Sequence, residues 1–249
     1  MAVKLKKTPQ NVWIGLPCYG GTLQVLTYKS LMHDMFRIAL EGTKVRVFDE
    51  LGHADIYLLR AQILAHFLAD KDATDLVMID SDVGWEPGGL NKLLTHDVDL
   101  VAGAYPKRED PITFMFRSAR DDGQALMGAP ETGLIEVWGM PGGFMRIRRS
   151  AVERMVAHYG PELTALCNTS PGGSVCRLFD PYWIRTPTGN RVLAEDYAFC
   201  QRWRDIGGQI FMDASISMAH IGSKAFAGQL GQWMQTSVSG YSPKREAAE

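Results

Sequence analysis

The first hundred residues alternate between two kinds of pattern, and that alternation limits the fold more than any other feature of the chain. "NVWIGLPCY" is a short apolar run ending near Pro17, and "LQVLTYKSLMHDMFRIAL" (residues 23 to 40) then carries Leu23, Leu26, Leu31, Met35 and Ile38 at helical spacing. "TKVRVFDE" alternates like a strand, and "ADIYLLRAQILAHFLA" (54 to 69) reads as a second amphipathic helix. "DLVMID" is a third strand, "GGLNKLLTH" after Pro87 a short helix, and "DLVAGAY" (99 to 105) a fourth strand. Strand and helix in that order predict a mostly parallel sheet covered on both faces.

The second half changes character. "PITFMF" and "GLIEVW" read as antiparallel strands joined by the polar "RSARDDGQALMGAPET". "GGFMRIRR" is a further strand, "SAVERMVAHY" a helix, and residues 160 to 175 a glycine- and proline-rich loop. "RLFDPYWIRT" is strand-like, "LAEDYAFCQRWRDIG" a helix ended by Gly207, and "QIFMDASISMAHIG" closes as one strand. There is no repeat, low-complexity segment or linker. We expect one domain: a nucleotide-binding half over residues 12 to 105, an acceptor- and metal-side half over 106 to 225, and a tail from 226 to 249.

Totals narrow the function. The 249 residues are 46% hydrophobic, enough for one sizeable core, and a net charge of -2 leaves no overall basic footprint for nucleic acid. "MAVKLKK" lacks the apolar segment of a signal peptide, and no apolar run reaches the ~20 residues of a membrane helix. The expectation is a cytoplasmic protein without a membrane span. Cys18, Cys167, Cys176 and Cys200 are scattered, with no C-x-x-C pair, and read as free thiols.

Chemistry concentrates at the end of the third strand, where four apolar residues run into Asp80, Ser81 and Asp82. Ligands of an open α/β sheet bind outside the carboxyl ends of its strands. Residues two apart in extended backbone face the same way, so both carboxylates are expected to share one cleft and to require a positive bridge. Hard divalent cations suit that role, and Mg²⁺ or Mn²⁺ leaves room for phosphate oxygens. The competing reading is a solvated turn capped by aspartate. His220 in "MAHIGS" is a further candidate ligand. Glu195 and Asp196 stand where acidic groups favour a helix start, and equally where a base would take an acceptor's proton. Gly142 and Gly143 precede a strand and permit close backbone approach, while Trp138 suits either core or a sugar ring. Lys107 and Arg108 follow the fourth strand, Lys224 follows His220, and Arg60 sits in a helix from which it snorkels to solvent by default.

"LPCYGG", "RAQILAHFLA", "LVMIDSDVGW", "LVAGAYPKR", "WGMPGGFMRIRRSAVERM", "LAEDYAFCQRWRDIGGQIFMD" and "HIGSK" arrive in an order that resembles small bacterial and phage glycosyltransferases of the GT-A, Rossmann-like fold, over about residues 12 to 224. The resemblance implies a smaller antiparallel acceptor-side sheet, a nucleotide-sugar donor (UDP favoured), Mn²⁺ or Mg²⁺, and a glycan, lipid-linked or modified-DNA acceptor. It assigns the metal to Asp80, Asp82 and His220, with Asp80 also toward the ribose. Pro17, Cys18, Tyr19, Arg60, Asp80, Ser81, Lys107 and Lys224 would line the nucleotide sugar; Trp138, Gly142 and Gly143 the sugar and acceptor; Asp196 and Glu195 would supply the base. The chain departs from the family where an asparagine is usual and Gln62 stands. Alternatives are a phage-type transferase acting on hydroxymethylated pyrimidines, a non-catalytic sugar-nucleotide-binding module, and a Mg²⁺-dependent nucleotidyltransferase.

Overall fold

The computed structural model describes residues 11–51, 54–118 and 132–237. In chain order the elements are β1 (Asn11–Cys18), α1 (Val25–Leu40), β2 (Lys44–Leu51), α2 (Ile56–Ala69), β3 (Asp75–Ile79), β4 (Val83–Trp85), α3 (Gly89–Thr95), β5 (Leu100–Gly103), β6 (Arg117–Ser118), β7 (Leu134–Gly139), β8 (Phe144–Arg148), α4 (Arg149–Leu163), β9 (Thr164–Leu166), β10 (Ser174–Cys176), β11 (Tyr182–Thr186), β12 (Gly189–Leu193), α5 (Glu195–Asp205), β13 (Ile210–Asp213), β14 (Ser217–Ile221), β15 (Ala225–Gln229) and α6 (Leu230–Ser237).

Eight strands form the main sheet in the order β2-β1-β3-β8-β5-β13-β7-β6. Six of them (β1, β2, β3, β5, β6, β13) run one way, and β7 and β8 run the other. The fold is therefore a mostly parallel, Rossmann-like α/β sheet with one reversed strand in its middle. Sequence alternation anticipated the parallel strands, but not that β8 comes between β3 and β5. That insertion matters for the site. Because β8 runs antiparallel to β3, Ile79 pairs with Phe144, so β8 begins where β3 ends. The glycines just before β8 thus lie over the carboxyl end of β3.

The strands are apolar on both faces because both faces are covered. Val12, Ile14, Val77 and Ile79 point into a core shared with Leu31 and Ile38 of α1 and Leu90 of α3. Trp13, Leu76 and Met78 point the other way, toward Ile63 and Phe67 of α2, Val152 of α4 and Phe199 of α5. Asp55 caps α2 by accepting hydrogen bonds from the amides of Tyr57 (2.9 Å) and Leu58 (3.1 Å). Helix α2 is not the amphipathic surface helix its sequence suggests: six consecutive residues, Leu59 to Leu64, are buried. The β9–β10 hairpin and α4 cover the side opposite the sheet.

Several other expectations change. "QIFMDASISMAHIG" is two strands, β13 in the main sheet and β14 in a separate antiparallel sheet of order β15-β14-β4. "PITFMF" contributes only an isolated bridge, Pro106 to Phe114, before β6. Residues 160 to 175 hold the end of α4 and the β9–β10 hairpin rather than a continuous loop. The strand-like reading of 177 to 186 narrows to β11, which pairs only with β12 as a separate hairpin. The connection at 119–131 and the tail beyond 237 lie outside the described residues. All four cysteines are free thiols. Among the described residues no helix is long and apolar enough to cross a membrane.

Candidate functional site

The site collects where β1, β3 and β5 end. Asp80 and Asp82 do not lie in extended backbone. The chain turns between them, with the Val83 amide donating to the Asp80 carbonyl (3.3 Å), because β4 begins at once in the second sheet. The turn gives the two carboxylates different partners. Each has its own guanidinium: Arg60 Nη2 lies 2.8 Å from Asp80 Oδ1, and Arg108 Nη2 contacts Asp82 Oδ2.

Asp82 and His220 meet through backbone pairing. In the second sheet His220 is opposite Val83, and the Ile221 amide donates to the Asp82 carbonyl at 2.8 Å. This brings His220 Nε2 to 3.7 Å from Asp82 Oδ1. The other ring nitrogen, Nδ1, lies 3.0 Å from the Pro106 carbonyl. A carbonyl only accepts, so Nδ1 carries the proton. Burial first, and Arg108 second, lower the His220 pKa below its usual value. Both influences favour the neutral ring, in which the Nε2 lone pair faces Asp82. A lone pair facing a carboxylate, with the opposite nitrogen fixed by a backbone acceptor, is the donor chemistry that suits a divalent cation. Asp82 and His220 fit that group. Asp80, engaged by Arg60, does not join them, and among the described residues no three such side chains form a ready metal cluster.

Arg60 does not snorkel. Its side chain is 2% exposed, its Nε donates to Glu195 Oε1 at 2.8 Å, and its guanidinium lies 5.7 Å from the Phe179 ring centre. The coverage of α2 on both sides explains this burial. Its position makes Arg60 the tie between the end of β3 and the start of α5, beneath the cleft rather than on its surface. Burial would lower its pKa, but Asp80 and Glu195 raise it further, so it is always charged.

Glycine does specific work at Gly143. A Cβ there would come within 2.6 Å of both Asp80 Oδ2 and the Tyr105 hydroxyl. The Asp80 amide donates to the Gly143 carbonyl (2.9 Å), and the Gly143 amide to the Tyr105 hydroxyl (3.2 Å). Next to it the Gly142 amide donates to Asp196 Oδ2 at 3.1 Å. Burial, with Glu195 adding to it, raises the Asp196 pKa to about 6. Of the α5 pair, Glu195 is thus held by Arg60, while Asp196 is the carboxyl tuned toward neutrality.

The remaining candidates divide. Pro17 and Cys18 end β1 in the core, and Tyr19 just beyond is 68% exposed. Burial and then the Asp49 and Asp80 charges raise the Cys18 pKa, which sets the end of β1 against the same acidic group. The Ser81 carbonyl accepts from the Gln24 amide at 2.8 Å, linking the turn to the loop after Tyr19. Trp138 is half-buried beside Tyr197 and Arg191, in a cavity of about 230 Å³ at the α5 start. A larger cavity of about 370 Å³ lies between α2, α4 and the β9–β10 hairpin, and none of the candidate residues lines it. Gln62 points away from the cleft, donating to Thr169 Oγ1 at 2.7 Å. Lys107 pairs with Glu109 (3.5 Å) and Lys224 with Asp110 (2.5 Å) on the outer surface. The cation at Asp82 is Arg108, which the sequence shows only as the neighbour of Lys107. Tyr105 and Asp49 were also passed over; each stands at the end of a strand, which was the available signal.

Sheet and cleft together define a Rossmann-like α/β protein with an acidic site at the carboxyl ends of its strands. Compared with solved structures, the chain is similar to A197 from STIV (14% identity, 88% of this chain, 90% of that one, TM-score 0.50), a likeness of fold. It is also similar to a glycosyltransferase involved in the glycosylation of the major capsid of PBCV-1 (13% identity, 61% of this chain, 67% of that one), at a TM-score of 0.33, which does not bear on function. No protein-family profile matches the chain, and neither does any curated protein.

Proposed function

We propose that the protein is a metal-dependent glycosyltransferase that moves a sugar from a nucleoside-diphosphate sugar, UDP-linked by preference, to a hydroxyl of a glycan acceptor. The observation that carries this reading is the approach of Asp82 and His220, whose Nδ1 lies against the Pro106 carbonyl, to 3.7 Å at the same strand ends as Asp80, Glu195 and Asp196. Asp82 and His220 would hold Mn²⁺ or Mg²⁺. Bound there, the ion supplies positive charge against the diphosphate as it leaves.

The chain's own residues account for the rest. Exposed Tyr19 offers a flat face for the base beside the end of β1. Gly142 and Gly143 would lie under the sugar, and their lack of side chains makes room for Asp80, Tyr105 and Asp196, with Asp80 kept in place by Arg60. Asp196 takes the proton of the acceptor hydroxyl as its oxygen bonds to the anomeric carbon. The bond from that carbon to the diphosphate breaks, and its electron pair leaves with the phosphate. A base with a pKa of about 6 is ionised at pH 7 yet still accepts a proton readily. Such a single displacement inverts the anomeric centre. Trp138 and the cavity beside α5 would receive the acceptor.

A panel of UDP-, GDP- and CMP-sugars with Mn²⁺, followed by product release, tests the reading. Free sugar and nucleoside diphosphate are expected, and Asp82→Ala should abolish their release with an unchanged far-UV spectrum. Pyrophosphate as product would instead indicate nucleotidyl transfer. Binding without turnover would indicate a sugar-nucleotide module. Full turnover in Asp82→Ala would reject the site.

A further inference from the structure

We infer that Arg108 is an internal counter-ion for Asp82: it occupies the carboxylate in the free protein, weakens binding of a divalent ion there, and turns to the phosphate oxygens when they arrive. The inference rests on the metal site proposed above and concerns a residue that reading did not use. Four observations carry it. Arg108 Nη2 contacts Asp82 Oδ2, while Oδ1 of the same carboxylate faces His220. The Arg108 side chain is 42% exposed, so it is free to leave, unlike Arg60 at 2%. Its aliphatic stem lies over Gly222, where a Cβ would stand 3.0 Å from Arg108 Cδ. The other cations nearby are engaged on the outer surface, Lys107 by Glu109 and Lys224 by Asp110.

The physics is competition followed by exchange. One carboxylate cannot give its full charge to a guanidinium and a divalent ion together, and the two cations repel at that distance. The ion therefore binds the free protein against the Arg108 contact. A diphosphate changes the balance, because a guanidinium donates to two phosphate oxygens at once. Arg108 then gains a new partner when it releases Asp82. Ion and nucleotide should consequently bind cooperatively, each tightening the other by the same factor.

Mn²⁺ binding followed by electron paramagnetic resonance tests this without turnover. Wild type, Arg108→Met and Asp82→Asn are titrated with Mn²⁺ alone, then with UDP (or GDP, if the donor panel selects guanine). Arg108→Met should bind Mn²⁺ about tenfold more tightly than wild type in the absence of nucleotide. Nucleotide should tighten Mn²⁺ binding in wild type and much less in Arg108→Met. Gly222→Ala, which crowds the Arg108 stem but keeps its charge, should fall between the two. Equal Mn²⁺ affinity in wild type and Arg108→Met, lost in Asp82→Asn, would overturn the role of Arg108 and leave the metal site standing. No Mn²⁺ binding in any protein, with or without nucleotide, would overturn both.

Discussion

Two clusters of charged side chains are built on the same sheet, and they are finished differently. Under the C-terminal half of α3, Asp213 accepts from the Ser215 amide (2.8 Å) and lies 2.7 Å from His96 Nε2, with both side chains at most 1% exposed. Alongside, Arg146 donates to the carbonyls of His96 (2.7 Å) and Val98 (2.6 Å). That cluster is sealed, even leaving His96 Nδ1 and Asp75 Oδ2 buried without a hydrogen-bond partner. At the strand ends, Asp80, Asp82, Glu195 and His220 are each between 20% and 30% exposed. Their cations hold one side of each carboxylate and leave another side open. A charge closed in by the fold is out of a ligand's reach; a charge held from behind and open in front is within it. Arg60 belongs to both kinds, since it is sealed itself but supports the open group.

The comparison is broken most severely at Arg60. Arg60→Met leaves Asp80 and Glu195 without their common cation, and removing one side of a buried ion pair costs about 3–5 kcal/mol. Urea unfolding should show a loss of that order, together with loss of transfer. A variant as stable as wild type would mean that the open cluster does not depend on Arg60.

Under the proposed function Asp196→Asn acts on chemistry instead. Transfer should fall by about 10²–10⁴-fold, the usual contribution of a positioned base. In wild type, kcat/KM should decline as pH drops below about 6, and in the variant the residual rate should lose that step. Stability moves the other way. The folded-state pKa of about 6 lies above the roughly 3.9 of an unfolded aspartate, so this group's contribution is complete below about pH 4 and lost as pH rises through about 6. Asp196→Asn should therefore melt above wild type at pH 8, with the gap closing below pH 4. A wild-type rate that stays flat to pH 5 would remove Asp196 from the role of base.

The sequence carried the elements of this site but not their partners. The run Leu76 to Ile79 into Asp80 was legible because a buried parallel strand is apolar throughout and its ligand end is not. Gly142 and Gly143 were legible as a close approach, although only the structure shows that Gly143 approaches Asp80 and Gly142 approaches Arg60 and Asp196. The solvent-facing default for Arg60 fails because helix periodicity reports one covered face, and α2 has two. Arg108 was not separable from Lys107, since two adjacent cations after a strand look alike until β14 pairs with β4 and brings Asp82 beside one of them. Asp80 and Asp82 take different partners for the same reason: the residue after Asp82 enters a different sheet, a long-range pairing with no local signature.

Asp213→Asn sharpens the contrast from the sealed side. Hydrogen bonds to a buried ionised group contribute about 1.5–3 kcal/mol, so a loss near 2 kcal/mol is expected at pH 7. Burial opposes ionisation of Asp213, but the His96 and Ser215 hydrogen bonds outweigh it and hold its pKa below the usual carboxylate range. That stabilisation is present above the unfolded pKa of about 3.9 and disappears as pH falls through the lower folded value. The stability gap between wild type and variant should thus close only in strong acid. Transfer measured well below the melting temperature should be unchanged; a large drop in kcat would show that the sealed cluster reaches the chemistry after all.

The smallest effect is expected at Lys224, and it separates the proposed site from the one the sequence suggested. Lys224 is paired with Asp110, and both side chains are more than half exposed. Exposed pairs of this kind contribute about 0–1 kcal/mol. If the phosphate-facing cation is Arg108, Lys224→Met should leave the melting temperature and the donor KM within about twofold of wild type, a free-energy change no larger than such a pair supplies. If Lys224 swings inward over the donor instead, KM should rise about tenfold or more, as for a charge-assisted contact to phosphate. The two outcomes differ by more than the error of a steady-state titration, so this mild substitution decides which cation the diphosphate meets.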